Sequence, residues 1–416
     1  MEGINLEKPF ENLFSNIERT NFNRETINQF EVLILDEYDY MFATAAGLIA
    51  GFIDTVYVGT IQKGKDTKGL QKFVDTKVDK LVENYGLKEK IAQLERQKKY
   101  AKSENISKID KSIQEYKSGK RKWDKKSSIR FLEKMHKVSY DSAMSKNVPG
   151  MTPDNHHLYS LAHEPSLLGL LVGIHNQITN TSTFMTNTGE VLNIPAENIN
   201  NDLSGNVVNK IIQATDNWFG HVMSDIAGSS GSKGRGSGLP VPGWASLQKL
   251  QFGSIKLKAN REDRYSIAEI SEWMFKNGYD LRSFTAELVP VAIYETLIRL
   301  YWFYKQHVYY RKSLKDNLPI ANHRELSRLL LVGASTFTTI DASHATIKGI
   351  AKAGGQGIDI ATFIMTVNKP GLIDLGFRSL QTVYFEAHHY QHLKKVIDEY
   401  ILNDYSKVIN NNTPFN

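Results

Sequence analysis

The sequence predicts an all-α protein: a large helical body of close-packed Gly/Ala-rich helices carrying an inserted basic helical hairpin or coiled coil. Three observations predict it. Apolar residues step by threes and fours along most of the chain. Small residues recur every four positions in the longest apolar tract. No steady alternation of strand and helix patterns marks βαβ units.

Taken in order, Phe10, Leu13, Phe14 and Ile17 have the spacing of a short amphipathic helix. Glu31–Tyr40 is apolar and then acidic, and reads either as a strand or as the first turns of a helix running through Ala50. Asp36, Glu37 and Asp39 suit the positive end of a helix dipole. Met41–Gly59 is the longest apolar tract and holds one charge, Asp54. Its length approaches the ~20 residues that span a bilayer. Its composition points instead to a soluble core helix, because Ala and Gly are weak hydrophobes and an ionised Asp in lipid costs roughly 2.5–3.5 kcal/mol. Ala43, Gly47 and Gly51 form one row of small residues, and Ala46, Ala50 and Asp54 another. Such rows let helices approach closely. Both readings stay open.

Residues 61–140 differ from the rest. They hold 23 Lys/Arg against 11 Asp/Glu, whereas the other 336 residues hold 28 against 34. The overall net charge of +6 therefore describes one basic segment on an acidic body. Within it, Leu87, Ile91, Leu94, Lys98 and Ala101, then Ile106, Ile109, Ile113 and Tyr116, repeat in heptad-like steps. The expected organisation is a discontinuous body, 1–60 and 141–409, a hairpin insertion, 61–140, and a frayed tail, 410–416. Lys120, Arg121, Lys122, Lys125 and Lys126 surround Trp123, a composition that suits an anionic membrane or a protein partner. The coiled coil offers a route to self-association. Nucleic acid ranks below these because the remaining chain is net negative.

Beyond the hairpin, Pro149-Gly150 and Thr152-Pro153-Asp154 are turn signals. A helix follows Pro165 through Leu168, Leu171, Ile174 and Ile178. Residues 180–205, rich in Asn and Thr, read as surface loop. Asn206–Gly228 is helical again. Gly228, Gly231, Gly234, Gly236 and Gly238 then end any helix. Residues 265–315 return to helix, with Glu295 and Arg299 four apart as an ion pair. A small-residue-rich region lies within His323–Ile373, and one long charged helix covers about 376–409.

No cysteine is present, which removes disulfides, thiolate metal sites and thiol chemistry. The N-terminus lacks a basic start followed by an apolar run, so no signal peptide is expected. The expected location is cytoplasmic, peripheral to or inserted at the inner face of the membrane.

Candidate chemistry centres on histidine. His156, His157, His163 and His175 fall within twenty residues. His221 and Asp225, four apart on a helix, share a face. Imidazole and carboxylate together suit Zn, Mn or Fe. The expected metal set is His163, His175, His221 and Asp225, with His163, Glu164, His221 and Asp225 as the catalytic residues. Against it, no HExxH occurs. His388 and His392 are one turn apart but read as a solvated helix face. The glycine stretch has no GxxxxGK[ST] order, so it is no P-loop. It is instead a candidate anion nest of Gly231, Lys233, Gly234 and Arg235. Ser224, Ser229 and Ser230 lack a nucleophile-elbow context. Asp54, Asp341 and His344 lie in small-residue tracts and need partners if buried. Asp54 is expected to meet Asp341 or His344.

The tracts AAGLIAGFIDTVYVG, HEPSLLGLLVGI, WFGHVMSDIAGSSGSKGRGSGLPVP and TIDASHATIKG resemble segments of uncharacterised bacterial proteins from mobile-element or defence-linked settings. The resemblance spans most of the chain outside 61–140 and implies no activity or cofactor. His221, Asp225 and the glycine stretch are its most distinctive residues.

Two functions follow. The first is a helical protein docking on a membrane surface or protein partner, as a membrane-active effector. The alternative is a metal-dependent hydrolase of a phosphate or lipid ester.

Overall fold

The first helix starts on two carboxylates that serve its exposed amides. The Asp36 amide donates to Asp39 Oδ2 at 2.7 Å, and the Asp39 amide donates back to Asp36 Oδ1 at 3.1 Å. In this computed structural model the described residues are 35–58, 61, 67–138, 146–196, 203–228, 236–258, 262–315, 318–319 and 323–411, with side chains to Leu402. The amphipathic helix expected near residues 10–17 lies outside them, as does the tail beyond residue 411. Among the described residues the fold is all-α, with many packed helices and two small strand pairs.

The order is α1 (Glu37–Ile53, continued by a π turn, Asp54–Val58), α2 (Gly69–Lys99), α3 (Ser103–Lys117), α4 (Lys125–Met135) and a short α5 (His156–Tyr159). After a 3-10 turn, Leu161–His163, come α6 (Leu167–Thr179), β1 (Thr181–Met185), β2 (Val191–Pro195) and α7 (Val207–Asp225). A second 3-10 turn, Trp244–Lys249, leads to β3 (Ile255–Lys256), β4 (Arg264–Tyr265) and α8 (Ile267–Lys276). The chain ends with α9 (Leu281–Tyr304), α10 (Arg324–Lys352), α11 (Ile360–Thr366) and α12 (Lys369–Asn411). The chain divides into two compact units. One comprises 1–48, 293–336 and 373–416, and the other 49–292 and 337–372.

The first unit buries charged groups beside apolar ones such as Ile298, Trp302, Leu329 and Leu330. Lys305 Nζ donates to Asp36 at 2.7 Å and to the fully buried Asp39 at 2.6 Å. Tyr301 donates its hydroxyl to Asp39 at 2.9 Å and stacks on Phe42. Buried Arg378 pairs with Glu295 and, at 3.2 Å, with Asp374. The expected Glu295–Arg299 pair is present at 3.3 Å. Apolar side chains such as Met41, Leu380 and Val383 lie outside. Burying charge is costly unless each group is paired, and these groups are.

The second unit holds the main apolar core, which includes Leu158, Tyr159, Phe184, Trp218, Trp244 and Phe275. On α1, Gly51 faces α10: a Cβ there would lie 2.9 Å from Ile340 Cβ, so only glycine permits the approach. Helix α4 packs on both α2 and α7. The Asn/Thr-rich stretch contains a β-hairpin rather than a surface loop throughout. Its first strand buries Ser182, Phe184 and Met185, with Phe184 paired to Leu192. The Ser and Thr positions masked the apolar alternation in the sequence.

The expectation for Asp54 is met in this unit. Asn368 links it to Asp341: its side-chain amide donates to Asp54 Oδ1 at 2.6 Å and its backbone amide to Asp341 Oδ2 at 2.8 Å. Burial, then the Asp341 carboxylate, pushes the Asp54 carboxyl up to about 8.

Candidate metal centre

The site is assembled from three short pieces of backbone. The turn before α5 is tied by Asn155, whose amide donates to the Gly150 carbonyl at 3.0 Å and to Glu272 Oε1 at 2.7 Å. That turn presents His156 and His157. The 3-10 turn Leu161–His163 then buries His163. It is held to α7 by Trp218, whose indole N–H donates to the Ala162 carbonyl at 2.7 Å. Ser166 caps α6 by accepting from the Gly169 amide at 3.2 Å. Gly169 itself is required, because a Cβ would sit 1.9 Å from the Glu164 carbonyl oxygen. Helix α7 starts on an Asn206 cap and carries His221 and Asp225 on one face.

These pieces converge on one carboxylate oxygen. Asp225 Oδ2 lies 3.1 Å from His221 Nε2, 3.3 Å from His163 Nε2 and 3.7 Å from His157 Nε2. His163 and His221 place their Nε2 atoms 3.2 Å apart. Ligands ~2.0–2.1 Å from a tetrahedral ion stand about 3.3 Å from one another, so the spacing suits a divalent ion at the centre. His156, His157 and His163 form a second, overlapping group.

Hydrogen bonding orients the rings. His157 Nδ1 lies 3.1 Å from the Gly238 carbonyl oxygen. A carbonyl only accepts, so Nδ1 carries a proton, and Nε2 is the ring nitrogen that faces Asp225. Metal-ligating histidines are commonly oriented this way. His156 Nδ1 likewise donates to the Pro153 carbonyl at 2.7 Å. Burial, then the neighbouring His157, holds the His163 imidazole well below its ordinary value and therefore neutral. For Asp225 burial acts upward, but His221 and His157 outweigh it and keep the carboxylate ionised. Imidazole nitrogens beside an ionised carboxylate make a donor set of the kind Zn, Mn or Fe takes.

The expected residues divide as follows. His163, His221 and Asp225 come together. His175 does not: it lies exposed on α6, and its carbonyl, not its ring, is engaged, by the Thr179 hydroxyl at 2.8 Å. His157, which was not among the expected ligands, stands 3.7 Å from Asp225 Oδ2 and groups with His156 and His163. Glu164 Oε1 accepts from the Gly243 amide, while Oε2 is buried without a hydrogen-bond partner. Ser224 donates its hydroxyl to the His221 carbonyl at 2.6 Å. Gly231, Lys233, Gly234 and Arg235 lie outside the described residues, as do Ser229 and Ser230.

The flanks of the glycine stretch are described, and they reach the site. Arg282 donates to the carbonyls of Ala227 at 3.2 Å and Gly236 at 2.6 Å. Asp280 accepts from the Gly238 amide at 3.0 Å and pairs with Arg282 at 2.6 Å. The sequence pattern did not point to Arg282 or Asp280; the only signal was an Asp three residues before Ser283 at the start of α9.

In the basic cluster Trp123 is half-buried between Tyr116 and Phe131, and its indole donates to Ser128 at 2.6 Å. Lys125 pairs with Asp79 at 2.9 Å, and Arg121 lies over the Tyr116 ring. Lys120, Lys122 and Lys126 are exposed. Elsewhere, Glu386 is engaged by Arg324 and Arg328, and His388 and His392 are exposed.

No protein-family model matches the chain, and no match was found among curated proteins or solved structures. The roles assigned to residues therefore rest on this chain's own geometry.

Proposed function

We propose that the protein is a metal-dependent hydrolase acting on a phosphate or lipid ester. The observation that carries this reading is the convergence of His157, His163 and His221 on Asp225 Oδ2 within 3.1–3.7 Å. A divalent ion held there would supply Lewis acidity for activating water. In the group His163, His221 and Asp225, two imidazoles and one carboxylate would hold the ion and leave a position for water, with His157 beside them 3.7 Å from Asp225 Oδ2. Glu164 follows His163 in the chain, with Oε1 taken by the Gly243 amide, and in this reading its buried Oε2 would be the oxygen available for proton transfer.

The test is hydrolysis of p-nitrophenyl phosphate and of a p-nitrophenyl fatty ester, with Zn²⁺ or Mn²⁺ and after chelation. Activity that requires the ion and is lost in Asp225→Asn supports the reading. Activity that survives both treatments refutes it.

Docking on a membrane surface is a second, compatible reading, and a separate observation favours it. Glu37–Val58, 22 residues, is the one helix among the described residues long and apolar enough to cross a membrane by length and composition. Its outward positions are apolar: Met41, Leu48, Phe52 and Val56. Exposed Lys120, Lys122 and Lys126 would meet anionic headgroups. Vesicle flotation that depends on these residues tests it.

A further inference from the structure

Helices α6 and α7 form an antiparallel pair that leads away from the metal centre. Gly173 faces Trp218, with a would-be Cβ 2.3 Å from Trp218 Cδ1. Further along, the Gln177 amide donates to the Ala214 carbonyl at 2.9 Å. The near end of α6 follows His163 and Glu164 directly, and the near end of α7 carries His221 and Asp225. The two helices are thus continuous with the ligand-bearing turns.

Their outer faces are apolar. On α6, Leu168, Leu171 and Ile178 share one face and are exposed; on α7, Val208, Ile212 and Phe219 do the same. Helix α6 has no Asp, Glu, Lys or Arg in its 13 residues, and exposed His175 lies on the same face between Leu171 and Ile178. Exposed apolar patches of this kind mark binding surfaces. A protein-binding face normally mixes its apolar centre with a polar rim; here the titratable side chains at the exposed faces are His175 on α6 and Asp216 at the edge on α7, and α6 offers a partner no Asp, Glu, Lys or Arg. The chain also holds a bilayer-length apolar helix, Glu37–Val58.

We infer that the outer face of the α6–α7 pair rests in the acyl region of a lipid bilayer and brings a lipid ester to the His157/His163/His221/Asp225 centre. This rests on the hydrolase reading and narrows its substrate to an amphiphile. An apolar helix face adds affinity in proportion to its area, and the attached turns place the centre at the lipid surface. The lipid stays partly in the bilayer while its ester group reaches the ion.

The absence of cysteine makes a direct test available. Leu171→Cys and Ile212→Cys, each exposed, are labelled with a nitrobenzoxadiazole fluorophore, with exposed Glu104→Cys as the control. Phosphatidylglycerol–phosphatidylcholine vesicles are then added. The expected result is a blue shift at 171 and 212, with protection of both from an aqueous quencher, and no change at 104. Labels unresponsive to vesicles overturn the inference. So does protection that rises with protein concentration before lipid is added, which would assign the face to another copy of the chain. Metal content is measured on the same samples. A chain that binds no divalent ion sinks the hydrolase reading whatever the fluorophores do, whereas a metal-loaded chain with unresponsive labels sinks this inference alone. With metal bound, vesicle phosphatidylglycerol should be cleaved at least about tenfold faster than p-nitrophenyl phosphate; the reverse preference overturns the lipid substrate.

Discussion

His157 is oriented by Gly238: its Nδ1 donates to the Gly238 carbonyl across 3.1 Å, and this turns its Nε2 toward Asp225 at 3.7 Å. The backbone that leaves the glycine stretch therefore orients a ring of the candidate metal centre. Arg282 and Asp280 hold the same backbone in place.

From this relationship, His157→Ala should weaken binding of Zn²⁺ or Mn²⁺ by at least about 10–100-fold. His175→Ala should leave it unchanged, because His175 is exposed on α6. Isothermal titration of both variants checks the pair. Equal losses, or a loss only in His175→Ala, would contradict the ligand assignment.

Part of this centre was legible in the sequence. His221 and Asp225 were, because a four-residue step on a helix fixes a shared face without tertiary information. The choice between His157 and His175 was not. It depends on how α5 folds back beside α7, and no local pattern encodes that. The Asp54–Asp341 pairing was legible because a buried charge needs a partner, but Asn368 as the bridge was not. Trp123 among lysines resembled a partner-binding side chain, yet its contacts with Tyr116 and Phe131 are made by residues that spacing alone does not bring together.

Gly173→Ala should destabilise the protein by about 1–3 kcal/mol through overpacking. Its Cβ would lie 2.3 Å from Trp218 Cδ1. Displacing Trp218 also strains its bond to the Ala162 carbonyl beside His163. Thermal melting and metal affinity should fall together. A melting temperature unchanged from wild type would contradict the packing argument.

The Glu386 carboxyl is held down at about 2, first by hydrogen bonding from Arg328, with Arg324 adding to it. A depressed folded value means the stabilisation is present above the ordinary value of 4.5 and is lost as pH falls toward 2. The loss should be no more than about 1 kcal/mol, because the group is partly solvated. Melting curves across that acid range should show a weaker pH dependence in Glu386→Gln. An identical dependence would count against the pair.

Asp54 has the opposite sign. Its folded value of about 8 lies above the ordinary 3.8, so its stabilisation is complete below 3.8 and is lost as pH rises through 8. Asp54→Asn keeps an oxygen for Asn368 and removes the ionisation. It should therefore gain stability relative to wild type as pH rises across that window, read by thermal melting. A constant difference at all pH values would refute the raised titration of Asp54.

The most direct test of the metal centre is the metal content of the purified chain, counted by mass spectrometry after equilibration with Zn²⁺ or Mn²⁺ and removal of excess ion. Wild type should retain one divalent ion per chain, and folded Asp225→Asn should retain essentially none. A wild-type chain that retains no ion, or an Asp225→Asn chain that holds it as tightly, would contradict the assignment of His157, His163, His221 and Asp225 as a metal site.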